Sequence, residues 1–272
     1  MTSTKDRLIA GTASLARLNS ELAVMDMLHR LTQAGLTTLD TAPAYGCGVM
    51  EAVVGRFLKA RDSAAPLVRV NTKFGLTARL NLRWLQRFYF VSKVFQAVAA
   101  RAGIHSQVHW EGRDLAREAT ASLDHSLRLL GHGVIDVFFA HEIPLVHLNR
   151  QDFLQFIRTA RAQGKFQRFG LGGYRSQYET TGPGPIWEEV QVVQVESKPG
   201  SPVQTPAGWA GSIYLHGVLS PMGAMASTSD VTDRSANIRA LLTEAIEGQR
   251  AEKIVAAFTR AATLEETVGA VG

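Results

Sequence analysis

The sequence predicts an α/β fold, a single (β/α)8 TIM barrel, and three observations lead there. Short apolar runs alternate with helix-periodic segments along the whole chain. Eight such runs are present, enough to close a barrel, and several, such as VIDVFFA, are apolar throughout, as strands covered on both faces are. With 272 residues and 46% hydrophobic content the chain can fill one core of this kind, since barrels of about 250 residues are commonly single domains. The expected domain is therefore 1–272.

The elements follow in order. The expected strands are Leu8–Ala13, Thr37–Asp40, Val68–Phe74, Val134–His141, Phe166–Gly172, Val190–Glu196, Ile213–Val218 and Lys253–Ala257. Between the first two, Glu21–Gln33 carries Leu22, Met25, Leu28 and Leu31 near helical spacing. Glu51–Lys59, Arg113–Leu130, Asp152–Gln163 and Ser235–Gly248 have the same periodicity. Gly35, Gly131 and Gly164 follow three of these helices, where a glycine C-cap is common. The segments 180–189 and 198–212 are rich in Gly and Pro, so the sixth crossover is expected to hold no helix or a single turn, and the connections across strands six to eight to be short.

One segment breaks the alternation. An insertion over 76–112, after the third strand, is aromatic and basic, with Arg79, Arg83 and Arg87 four apart and so on one stripe if helical. In a barrel it hangs over the C-terminal face, where sites are built. Three readings stay open: a basic face turned to solvent, a lid over a site for an anionic or amphiphilic substrate, and a helix resting on a membrane surface.

Bulk properties narrow the classes. The formal charge of +5 suits anionic partners, yet no zinc-finger spacing, RNP-like motif or long Lys/Arg tract points to nucleic acid. A lone cysteine, Cys47, gives no disulfide framework and fits a reducing compartment. No apolar run suits a signal peptide or the roughly 20 residues of a spanning helix, so a cytoplasmic location is expected. The histidines show no metal spacing with Cys or acidic partners, and no metal site is expected.

The chemistry concentrates at strand ends. Asp40 ends the second strand, Tyr45 lies five residues later, Lys73 ends the third strand in VRVNTKFG, and His141 ends the fourth in IDVFFAHE. Taken singly, each has a plainer reading as a cap, a packing residue or a core residue. Together at a barrel mouth they suit carbonyl reduction. A hydride reaching a carbonyl carbon leaves charge on oxygen, and an acid must supply a proton. Tyr45 can be that acid if the Lys73 ammonium lowers its pKa, with Asp40 pairing Lys73 and His141 bonding the developing oxyanion.

GTASL, DTAPAYGCGVMEAVVGRFL, VNTKFG and SLDHSLRLLGHGVIDVFFAHE resemble, in order, four segments of the aldo-keto reductase family, and the resemblance extends over nearly the whole chain. Asp40, Tyr45, Lys73 and His141 fall on the family's catalytic tetrad. The resemblance implies an oxidoreductase binding NADP(H), with NAD(H) second, in an extended form and without a Rossmann glycine loop. It places Gly11 and Thr12, Gly172 and Gly173, Gln194, Leu219, Thr259, Arg260 and Glu266 at the cofactor. Gly172 and Gly173 stand where the family usually has a Ser-Asn pair holding the nicotinamide carboxamide, and Leu219 where it often stacks an aromatic ring. Thr259 and Arg260 suit a 2′-phosphate, and Glu266 matches a glutamate that contacts adenine.

The implied activity is reduction of an aldehyde, ketone or sugar carbonyl, or the reverse oxidation, with an anionic substrate suggested by the insertion. Two alternatives stay open: a cofactor-free lyase or isomerase on the same barrel, and a regulatory or binding protein that senses a nucleotide.

Overall fold

The computed structural model describes residues 4–62, 65–78, 107–108, 114–131, 135–178, 184–220 and 231–271. Eight parallel strands close a barrel: β1 (Leu8–Gly11), β2 (Thr38–Asp40), β3 (Arg69–Phe74), β4 (Ile135–His141), β5 (Phe166–Gly173), β6 (Val190–Glu196), β7 (Ser212–His216) and β8 (Lys253–Ala257). Each strand pairs with its neighbour in sequence, and β8 closes on β1 through Leu8↔Ile254 to Gly11↔Ala257.

Helices cover the outside. Among the described residues the longer ones are α1 (Glu21–Gln33), α2 (Met50–Ala60), α3 (Leu115–Leu130), α4 (Gln151–Ala162), α5 (Val231–Thr243) and α6 (Ala261–Val271). The Ser20 hydroxyl accepts from Ala23 N at 3.1 Å and caps α1, and Asp114 caps α3 through Arg117 N at 3.0 Å. The three glycines expected to end helices do so with positive φ.

Two apolar layers result. Leu, Val, Met and Phe side chains of the helices pack on the outward faces of the strands. Ile9, Val137, Phe139, Val192 and Tyr214 fill the barrel itself. Phe138 anchors the outer layer, with its ring 4.9 Å from Phe74 and 5.6 Å from Phe166. At the N-terminal end of the barrel, Arg168 bonds Asp136 at 3.1 Å and the Tyr214 hydroxyl at 2.7 Å.

The expected strands and helices are found with shifts of a few residues. The crossover between β6 and β7 holds only turns over 197–211, as the Gly and Pro content predicts. The next connection corrects the expectation of a short link. It is long enough to hold the helix expected over Ser235–Gly248, found as α5 and continued by a π turn over Glu244–Gly248. The base of the insertion is an antiparallel pair, Thr77–Ala78 with Gln107–Val108. The rest of the insertion, including Arg79, Arg83 and Arg87, lies outside the described residues.

Candidate active site

The C-terminal ends of the strands surround a cavity of about 420 Å³. Asp40, Tyr45, Lys73 and His141 all line it, as do Gly11, Gly172, Gly173, Gln194 and Leu219. Residues spread over 209 positions of sequence (Gly11 to Leu219 inclusive) thus meet because neighbouring parallel strands end at the same level.

Asp40 and Lys73 form the centre. Lys73 Nζ donates to Asp40 Oδ2 at 2.6 Å and to the Thr41 carbonyl at 3.1 Å, and both side chains are almost wholly buried. Burial disfavours the ammonium, but Asp40 and Tyr45 outweigh that and hold Lys73 above its ordinary pKa. Thr72, beside it, donates to Glu51 on α2 at 2.7 Å, which ties the end of β3 to the helix behind it. That buried carboxylate escaped the sequence reading because periodicity alone places Glu51 on a helix without saying which face turns inward.

Tyr45 sits on a turn in which Gly46 and Cys47 both take left-handed conformations, with φ of +58° and +56°. Its ring lies beneath the Lys73 ammonium, centroid to Nζ 5.1 Å. Here the structure differs from the expectation of a lowered phenol pKa. Burial is the largest influence and pushes the phenol above its ordinary value, Lys73 opposes it through charge and a hydrogen bond, and Asp40 adds to the rise. The ammonium therefore limits the rise rather than producing a net fall.

The other positions divide. Gln194 is 3% exposed, lines the cavity, and its Oε1 has no hydrogen-bond partner among the described residues. A buried acceptor of this kind is costly unless a ligand donor or water meets it. Gly173 takes φ +152°, a conformation largely closed to side-chain residues. The Gly172 carbonyl accepts from the Tyr178 hydroxyl and from Glu142 N, both at 2.8 Å. Thr12 does not line the cavity: it is fully buried and its hydroxyl donates to the Asp40 carbonyl at 3.0 Å, steadying the strand end that carries the carboxylate.

Thr259 and Arg260 stand on the loop leading into α6, outside the cavity lining, with Arg260 exposed. Glu266 is paired with Arg234 of α5 at 2.7 Å. Leu219 touches the cavity three residues beyond the end of β7, whereas His216 is the strand-end residue and lines the same wall. Burial is the largest influence on His216 and holds its pKa below the ordinary value. Metal spacing does not single it out, and the expected strand, Ile213–Val218, runs past it. Glu142, next to His141, is a further cavity residue that the sequence reading passed over.

Residues 7–179, well over half of the chain, match the model of the Aldo/keto reductase family. No curated protein sequence matches the chain. Among solved structures, a protein described as an aldo-keto reductase from Pseudomonas aeruginosa superposes with a TM-score of 0.66 at 16% identity, over 97% of this chain and 89% of that one. The aldo-keto reductase AKR11C1 from Bacillus halodurans, in its holo form, gives 0.67 at 14% identity over 97% and 86%. The glycerol dehydrogenase AKR11B4 from Gluconobacter oxydans gives 0.66 at 13% identity over 98% and 86%. At these identities the structural likeness speaks for the barrel.

Proposed function

The chain belongs to the aldo/keto reductase family, a family of oxidoreductase enzymes, and from that premise we propose that it reduces an aldehyde, ketone or sugar carbonyl with NADP(H), NAD(H) being the weaker cofactor. The observation that carries the reading is the buried Asp40–Lys73 pair, at 2.6 Å, with the ammonium over the Tyr45 ring on the cavity wall.

When bound, the nicotinamide supplies the hydride. Tyr45 gives its phenolic proton to the carbonyl oxygen and, in the reverse direction, takes it back as phenolate. Lys73 steadies the phenolate by charge, and Asp40 keeps that ammonium in place. His141 bonds the substrate oxygen and steadies the charge that develops there.

Fit to the cofactor is supported by Gln194, whose buried Oε1 suits a carboxamide N–H, and by the small residues Gly11, Gly172 and Gly173, which let a flat ring approach the backbone. Thr259 and Arg260, before an eleven-residue helix, suit a phosphate through the guanidinium and the helix N-terminus together.

The test is titration with NADPH and NADH, followed by tryptophan fluorescence, and then an aldehyde panel. Tyr45→Phe should bind NADPH as the parent does and lose about 10²–10⁴-fold in kcat. Undiminished turnover by Tyr45→Phe would remove the phenol from the mechanism.

A further inference from the structure

The barrel has a second mouth, at the N-terminal ends of its strands. A cavity of about 350 Å³ opens there, and its wall is mostly polar. Arg69 lines it from the first position of β3, and Lys73 lies four residues further along the same strand. At the rise of an extended strand, about 13 Å separates this cavity from the Asp40–Lys73 pair. Its charged wall residues are Arg69, Arg168, Lys253, Asp6 and Asp136, brought together from β3, β4, β5, β8 and the turn before β1.

A count of hydrogen-bonding groups leaves donors over. Both oxygens of Asp136 are engaged: Arg168 bonds one at 3.1 Å and Arg69 faces the other at 3.8 Å. The Tyr214 oxygen, on the same wall, accepts from Arg168 at 2.7 Å, so the proton of the phenol points elsewhere. Tyr214 is 1% exposed, and no described residue accepts that proton. Burial pushes the phenol pKa up to about 12 against the pull of Arg168, so it stays a donor at neutral pH. Lys253 Nζ gives one proton to the Asp6 carbonyl at 2.7 Å and pairs with no carboxylate among the described residues. Glu252, beside it in sequence, is taken up by the Ser212 hydroxyl and does not line the cavity. Asp6 is exposed, where solvent screens its charge. Three cations thus face two carboxylates, one of them shared by two arginines, and a buried hydroxyl adds a donor that is costly to leave unmet.

We propose that this N-terminal mouth binds a small oxyanion, free phosphate or the phosphate group of a monoester, between Arg69, Lys253 and the Tyr214 hydroxyl. A tetrahedral oxyanion offers acceptors in several directions, which suits donors arriving from three separate strands. Guanidinium and ammonium groups both bind phosphate well. The Asp136–Arg168–Tyr214 contacts hold the donors in place, and Arg69 and Lys253 supply the charge. The inference goes beyond the reductase reading and does not depend on it, since the site is at the opposite end of the barrel from Tyr45 and from the loop carrying Arg260.

The experiment titrates the full chain with inorganic phosphate and with glycerol 3-phosphate by calorimetry, and follows Tm alongside, in a zwitterionic buffer with chloride of matched ionic strength as the control. Phosphate should bind saturably and raise Tm where chloride does not. Arg69→Gln and Lys253→Met should each weaken binding about three- to tenfold, the scale of one hydrogen bond to a charged group, and Lys253→Arg should restore it. Arg260→Ala should leave it unchanged. Glycerol 3-phosphate binding at least as tightly as phosphate supports a monoester as the ligand, and binding of phosphate alone supports the free ion. No saturable binding beyond the chloride control overturns the site. Binding that survives Arg69→Gln and Lys253→Met but is lost in Arg260→Ala overturns it too, by placing the anion at the other mouth. Arg69 is more than half exposed, so Arg69→Gln decides should Lys253→Met not fold.

Discussion

At the scale of single residues, the chemistry depends on a contest at Tyr45. Burial raises the phenol above its ordinary pKa near 10, and the Lys73 ammonium, 5.1 Å from the ring centroid, opposes it. Reduction needs the protonated phenol and oxidation needs the phenolate. Reduction should therefore hold level through neutral pH and fall only at the alkaline end, whereas oxidation should climb with pH. Replacing Lys73 by Met removes the opposing charge and leaves Asp40 without its cation, and both changes raise the phenol further. The rise of the oxidation profile should then move to higher pH, read from kcat/KM in both directions. An oxidation limb that stays in place in Lys73→Met would assign that titration to another group. The same scale shows the limit of motif reading. DTAPAYG located Asp40 and Tyr45, but no motif announced Glu142 or Glu51, whose placement depends on a backbone twist and on which face of α2 turns inward.

At the scale of elements, close approach decides more than propensity. Gly55 lies in the middle of α2, where glycine is an unfavourable helix residue. The reason is contact with α3: a Cβ at Gly55 would stand 1.9 Å from the Leu129 carbonyl oxygen, closer than any real contact allows. Gly55→Ala should therefore destabilise by about 1–3 kcal/mol despite its better helix propensity, because backbone must move. Thermal or urea unfolding measures this, and a stabilised variant would show that the two helices can part without loss. The connection after β5 is held by Arg175, which is fully buried and donates to the Glu196 and Ser201 carbonyls and to Gln249 Oε1. Those bonds fasten the helix-free crossover after β6 to the residue that follows the π turn. The bond to Gln249 joins residues 74 positions apart, so periodicity along the chain carries no trace of it.

At the scale of the whole molecule, closure of the barrel makes the site. β2, β3 and β4 bring Asp40, Lys73 and His141 side by side, and β5 to β7 bring Gly172, Gln194 and His216 to the opposite wall. Anything that binds this folded mouth stabilises the whole domain, by about 2.7 kcal/mol at a hundred times its Kd. NADPH should raise Tm accordingly. Arg260→Ala should diminish the rise given by NADPH at fixed concentration and leave that given by NADH. Equal loss with both nucleotides would place Arg260 away from the 2′-phosphate. Among the described residues no helix is long and apolar enough to cross a membrane.

The sequence by itself determined the barrel, the order of its strands and the four residues Asp40, Tyr45, Lys73 and His141 at its mouth. Apolar runs, helical spacing and strand-end positions are local properties, and parallel connectivity turns them into a closed sheet. It determined equally that the crossover after β6 lacks a helix, because Gly and Pro act locally. Only the tertiary structure decided that Thr12 supports Asp40 from behind the wall, that burial outweighs Lys73 at Tyr45, and that Glu142 faces the cavity. Each of these depends on what surrounds a side chain once distant segments have met, and desolvation and packing act through space, where spacing along the chain has no hold.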